Sequence, residues 1–224
     1  MSLITPTSLA ATLDAVNEAV FYGREIAPAD REDTARWIAA RQGQPGAYRG
    51  LFAPTAQDYA SGVRLFTGER LHSRASTGHI LGEEACQALY RLAVPAADVH
   101  AALNRATEIV TTFRHSDGDT GYYCCGICTA AYWRHLAVST LPDAESRLAS
   151  GLRRLASLHD GKGRWQTFPF YYTLLALTEI DLPAVRTELR YAAPTCERLI
   201  RRSAAGDMYT TRRYDVLQRA LAKC

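Results

Sequence analysis

Lysine is almost missing from this chain. Lys162 and Lys223 are the only two, and arginine supplies the rest of the 26 basic residues. Lys162 sits in a glycine-rich turn and Lys223 is penultimate. Neither is placed for Schiff-base or phosphate-loop chemistry, so both classes are set aside. There is no apolar run of about 18 residues, so no membrane-spanning helix is expected. Met1 to Ala15 has no basic residue ahead of an apolar block, so no secretory signal is expected, and a cytoplasmic address follows. A formal net charge of +3 is too small to indicate a nucleic-acid partner. No second Cys-x-x-Cys and no His-x-x-x-His accompanies the one Cys-x-x-Cys present. No linker rich in Gly, Ser or Pro divides the chain. The expectation is a single all-α domain over 1–224, irregular over 1–94, with three regular hairpin units over 95–224.

A helical repeat is what the chain does have. The 224 residues, 47% hydrophobic and 22% charged, are ordinary for a globular protein able to bury a core without metals or disulfides. Four prolines, Pro28, Pro95, Pro142 and Pro183, each precede or open an amphipathic stretch. Each stretch ends in a glycine-bearing loop that carries an aromatic residue. Tyr122, Trp165 and Tyr209 fall 43 and 44 residues apart, a period typical of stacked helical hairpins. Before the loops the apolar residues form one stripe, as in Val99, Leu103, Ala106, Val110 and Phe113. After them, Tyr123 to Trp133 and Phe168 to Leu177 carry no charge on any face, the mark of a helix buried all round. The pattern predicts helical hairpins in two layers, an α/α toroid or partial α/α barrel. Pro194 predicts a kink or break near Ala193. Thr55 to Phe66 and Thr77 to Leu92 read as further helices, and Thr210 to Lys223 as a capping helix.

The run from Leu155 to Trp165, Leu-Ala-Ser-Leu-His-Asp-Gly-Lys-Gly-Arg-Trp, followed by an aromatic inner helix, resembles the glycine-tryptophan repeat of the terpenoid cyclase and protein prenyltransferase superfamily. The resemblance covers 95–180 and implies an α/α toroid with a central apolar cavity. It carries over no catalytic residue, because neither the cyclase acid motifs nor the prenyltransferase zinc ligands can be placed in this chain.

Three groups of residues could carry chemistry. His115, Asp117, Asp119, His159 and Asp160 recur just before the glycine loops. Gathered at one rim, His115, Asp119, His159 and Asp160 are candidates for acid–base work. Their other reading is local: Asp and Gly make the turn and His caps the helix. The aromatic set of Tyr123, Trp133, Trp165, Phe170, Tyr171 and Tyr172 either lines a pocket for a small apolar molecule or fills the core. Cys124, Cys125 and Cys128 are buried small residues, a redox dithiol, or part of a zinc site resting on Cys125 and Cys128. A cofactor is not expected unless these cysteines hold zinc. The C-terminal arginines Arg198, Arg201, Arg202, Arg212 and Arg213 form either a solvated face or a patch for a phosphate-bearing partner. Two functions follow from these residues. One is a small-ligand protein, enzymatic if the His/Asp rim acts. The other is a non-catalytic helical-repeat module that binds a protein partner.

Overall fold

The computed structural model describes residues 2–112, 121–202 and 206–224. Among them the chain is all-helical, with no strand. It divides into two compact units, Met1–Leu65 with Arg70–Phe113, and Phe66–Glu69 with Arg114–Cys224.

The first unit holds α1 (Leu9–Phe21), α2 (Pro28–Ala39), α3 (Ala56–Ser61), α4 (Arg74–Leu92) and α5 (Ala97–Thr112). The helix α4 packs against α1, α2 and α5 and is buried on almost every side. Two of its acidic residues are paired inside the core. His79 meets Glu83 at 3.1 Å, and Asn17 donates to Glu84 at 2.6 Å. Gly78 and Gly82 let the chain at Tyr48 and Leu51 lie directly on α4. A Cβ at either glycine would fall 2.7 or 2.6 Å from those side chains. Asp58 joins two helix starts. It closes the capping box of α3 with Thr55, and it accepts from the Ser8 hydroxyl and from the amides of Leu9 and Ala10 at the start of α1. A buried carboxylate there answers the free amides and positive dipole of both helix ends. The helix expected from Thr55 to Phe66 stops at Ser61, because Gly62 turns to φ 70° and the chain then extends to bridge Arg64 and Arg70.

The second unit holds α6 (Gly126–Leu136), α7 (Ala144–Ser157), α8 (Phe170–Glu179), α9 (Pro183–Arg201) and α10 (Met208–Ala222). The helix α8, buried except at Tyr171 and Glu179, packs against α6, α9 and α10. In α6 and α8 the last turns are tied by a bidentate pair, Arg134 to Glu179 at 2.8 and 3.0 Å. The helices α7 and α9 are strongly one-sided, burying Leu148, Leu152 and Leu155 in the first and Val185, Leu189, Ala192 and Cys196 in the second. Pro194 does not break α9, which runs unbroken from Pro183 to Arg201. Its ring forfeits one ladder bond, and packing on both sides of that turn holds the helix together. The helix expected from Thr77 begins one turn earlier, at Arg74 behind its Ser73 cap. Phe66–Glu69 belongs to the second unit. Arg213 donates to the Thr67 carbonyl at 2.7 Å, and the Tyr172 amide in the first turn of α8 donates to the Glu69 carboxylate at 3.3 Å.

Candidate functional site: a three-cysteine cluster

The chain enters this region at Gly121, pressed against α7. A Cβ on Gly121 would stand 2.2 Å from the Arg147 carbonyl and from the Gly151 amide. Gly151 in turn lies under the Trp133 indole, whose Nε1 donates to the Gly121 carbonyl at 2.7 Å. The Tyr123 amide donates to the Thr129 hydroxyl at 3.0 Å, which bends the chain over the start of α6. Cys125 is extended, with φ −160° and ψ 169°, and is the N-cap of α6. Gly126 wedges that helix end against the backbone of Thr167 and Phe168, at 2.3 and 2.7 Å from where its Cβ would be. Glycines at 121, 126 and 151 thus pin the segment on both sides.

The result is a sulfur cluster. The Sγ atoms of Cys124, Cys125 and Cys128 all lie within 4.8 Å of one another, and Cys124 to Cys125 is 3.9 Å. They are graded in exposure: Cys124 is exposed, Cys125 half-buried and Cys128 buried. Of the three readings of these cysteines, that of buried small residues holds for Cys128 and not for exposed Cys124; Cys124 and Cys125 both precede α6. The thiols of Cys124 and Cys128 stabilise the Cys125 thiolate, and the amides of Cys128 and Ile127 assist against burial, bringing it down to about 2. Cys128 is driven upward, first by Cys124 and Cys125 and then by burial. Cys124 is raised too, mainly by Cys125. One thiolate therefore faces two thiols across a small triangle.

Tyr122 lies beside the cluster and gathers two residues that the sequence did not connect with it. Tyr122 bonds the Thr167 hydroxyl and feels the charge of Cys124 and Cys125, while burial raises its phenol. The Arg154 guanidinium lies over the Tyr122 ring at 3.8 Å. The sequence marks Tyr122 as a loop aromatic of the repeat. Arg154 and Thr167 gave no signal, because their proximity comes from α7 and the 159–169 loop packing beside α6.

His115, Asp117 and Asp119 are outside the described residues. His159 and Asp160 are part of a loop clamped by one stripe of α9. His159 meets the buried Glu188 carboxylate at 2.8 Å, and the same oxygen accepts from Trp165 Nε1 at 2.7 Å. Tyr191 stacks on His159 at 3.5 Å and donates to Asp160 at 3.0 Å, and Thr195 donates to the Lys162 carbonyl at 2.7 Å. Asp160 accepts from the Lys162 and Arg164 amides at 2.7 and 3.0 Å, and these bonds hold its carboxyl below the usual range. Its hydrogen-bonding capacity is directed into its own turn.

The expected pocket aromatics pack against other rings. Trp133 stacks with Phe168 at 5.5 Å, Trp165 with Phe170 at 6.0 Å, and Tyr123 tilts against Tyr132 at 6.2 Å. Tyr172 is fully buried beside Arg134, and Tyr171 carries Arg213 over its ring at 4.9 Å. A cleft of about 460 Å³ opens between Ile180, Leu182, Val185 and Lys223, and another of about 400 Å³ between Leu3, Ala15, Ala19 and Ile26. None of the expected pocket aromatics lines either. The C-terminal arginines also divide. Arg212 is buried over Phe66 and Arg213 is tied to Thr67, whereas Arg201 and Arg202 are exposed.

No helix of the described residues is long and apolar enough to cross a membrane. No protein family matches this chain, and no curated protein or solved structure matches it either.

Proposed function

We propose that the protein binds a soft metal ion through Cys124, Cys125 and Cys128. The observation that carries the reading is the sulfur triangle. Tetrahedral zinc with Zn–S bonds of about 2.3 Å sets neighbouring sulfurs about 3.8 Å apart, and Cys124 to Cys125 is 3.9 Å. Thiolate-only donors favour Cu(I), Zn(II) and iron–sulfur chemistry over hard cations. Exposed Cys124 leaves an open edge, as in sites that exchange ions or ligands, whereas structural zinc is closed by four protein ligands. A reducing compartment, the cytoplasm, suits six free thiols.

The test is anaerobic metal loading of the reduced chain, read by metal analysis and by thermal shift. About one equivalent should bind. Free ion at about 100-fold over Kd should add about 2.7 kcal/mol to apparent stability. Replacing all three cysteines by serine should abolish both effects, and substoichiometric metal in the native chain would end the reading.

A second reading keeps the ligand idea. The apolar inner helices and the resemblance of the 155–165 loop to terpenoid cyclase repeats support a toroid-like, two-layered arrangement that takes a small apolar molecule. Thermal-shift screening against isoprenoids tests it, and no stabilisation by any of them would count against it. The helical-repeat module that binds a protein partner has the exposed arginines of α9 as its support.

A further inference from the structure

We infer that Cys125 and Cys128 are a thiol–disulfide exchange pair: Cys125 attacks an exposed disulfide bond and Cys128 releases the product. This activity goes beyond metal binding and does not rest on it. The same sulfurs cannot hold an ion and share a disulfide at once, so the two uses of the cluster exclude each other.

Spacing is the first argument. Cys125 is the N-cap of α6, and its carbonyl accepts the Thr129 amide at 2.9 Å, so Cys128 falls in the first turn. Only the helical residues Gly126 and Ile127 lie between the two cysteines, which sets their Cα atoms about 5 Å apart. Disulfides span Cα separations of about 4.4–6.8 Å. Cys124 and Cys125 are chain neighbours with Cα atoms about 3.8 Å apart, below that range. All three sulfurs lie within 4.8 Å of one another, so the backbone decides which pair can close.

Access is the second argument. Cys125 is half-buried, and a substrate disulfide can reach its sulfur. Cys128 is buried, so its sulfur meets a substrate only after Cys125 has captured it. That is the division of labour between an attacking and a resolving thiol. Cys124, the exposed member, donates its thiol hydrogen to the Cys125 sulfur across 3.9 Å and is a positioning residue. The amides of Ile127 and Cys128, at the positive end of α6, favour the same Cys125 thiolate. Gly126, wedged against Thr167 and Phe168, fixes the turn that carries both thiols.

The step balances with the substrate disulfide as oxidant. The Cys125 thiolate bonds to one substrate sulfur, and the substrate S–S bond breaks with its electron pair leaving on the other sulfur. Cys128 gives its proton to that departing thiolate and attacks the Cys125 sulfur. The mixed disulfide breaks, the second substrate sulfur leaves as a thiolate, and a Cys125–Cys128 disulfide remains. The substrate gains two electrons and the dithiol loses two. Two equivalents of a small thiol run the step backwards.

The experiment uses the full reduced chain, freed of metal by a chelator and kept without oxygen. Glutathione disulfide is one probe and a disulfide-looped peptide is the other. The expected result is two substrate thiols released per chain and one internal disulfide, mapped by mass spectrometry to Cys125 and Cys128. Exchange with either probe supports the pair. Faster exchange with the peptide puts the substrate disulfide in a protein, and faster exchange with glutathione disulfide puts it in a small molecule. In Cys128→Ser, with Cys128→Ala as a second variant and circular dichroism as the check on folding, the reaction should stop at one glutathione held on Cys125. The rate of attack should stay level between about pH 7 and pH 5, where an ordinary thiol slows about tenfold per unit. Cys124→Ser should still close the Cys125–Cys128 disulfide while losing metal stoichiometry. A native chain that loads metal but does not exchange overturns this inference alone, and one that exchanges but binds no metal overturns the metal reading alone. A disulfide that includes Cys124, or a glutathione adduct that persists on Cys125 in the native chain, overturns the exchange pair.

Discussion

Cys125 combines three features that are rarely brought together: a helix start, two neighbouring thiols and partial access to solvent. The thiolate is the nucleophile, so the order of alkylation reports the cluster directly. In the metal-free chain near pH 5, iodoacetamide is expected to modify Cys125 ahead of the more exposed Cys124. The sign follows from the lowered thiol: its charged form persists at pH values where an ordinary cysteine is protonated. In Cys128→Ser the preference should shrink, because one of the two stabilising thiols is gone. Peptide mapping by mass spectrometry checks both, and equal labelling of Cys124 and Cys125 would refute the assignment. The Cys-x-x-Cys was legible in the sequence. The contribution of Cys124 was not, since it needs the extended cap at Cys125 to turn the sulfur inward.

Glycine does the positioning at the next scale. Gly121→Ala and Gly126→Ala would each place a Cβ within 2.3 Å of backbone atoms. Backbone yields little, so each substitution is expected to cost about 1–3 kcal/mol in urea unfolding and to spread the three sulfurs. Loss of metal stoichiometry beyond the loss of folded protein is the second readout. Glu188 is the matching element in α9, where its buried carboxylate serves both His159 and Trp165. Glu188→Ala leaves the indole donor unpaired and should cost about 1–3 kcal/mol or more. Asp160 adds a pH dependence. Its carboxyl is lowered by the amides of its own turn, so its contribution is complete above the ordinary aspartate range and fades as pH falls through its lower folded value. The Lys162 and Arg164 amide signals should therefore keep their hydrogen-bonded positions to more acidic pH than a free aspartate would allow. In Asp160→Asn that dependence should vanish. Helix periodicity made α5, α7 and α9 readable in the sequence, because a stripe of apolar residues states which face is buried. The function of the loops was not readable. Histidine and aspartate before a glycine look the same whether they face a cavity or close a turn, and only the partners Glu188 and Tyr191, about 30 residues away, distinguish the two.

At the scale of the whole chain, sequence order and structural membership part company at Phe66–Glu69. Four residues enclosed by the first unit belong to the second. Thr67 receives Arg213 of α10, and the Glu69 carboxylate accepts the amide of Tyr172 near the start of α8. The repeat pattern could not reveal this, because periodicity describes neighbours along the chain and these contacts span more than 100 residues. A carboxylate at a helix start contributes about 0.3–1 kcal/mol, rising to about 2 where it is partly buried. Glu69→Gln should therefore loosen α8 and leave α1 and α2 untouched. Hydrogen exchange is the decisive measurement, since it resolves local opening from global unfolding. Faster exchange is expected at Tyr172 and Thr173 and along α10, with unchanged protection in α4. Equal loss of protection in both units would mean that Glu69 supports the chain as a whole, and exchange confined to 66–69 would mean that the segment only rests against the second unit.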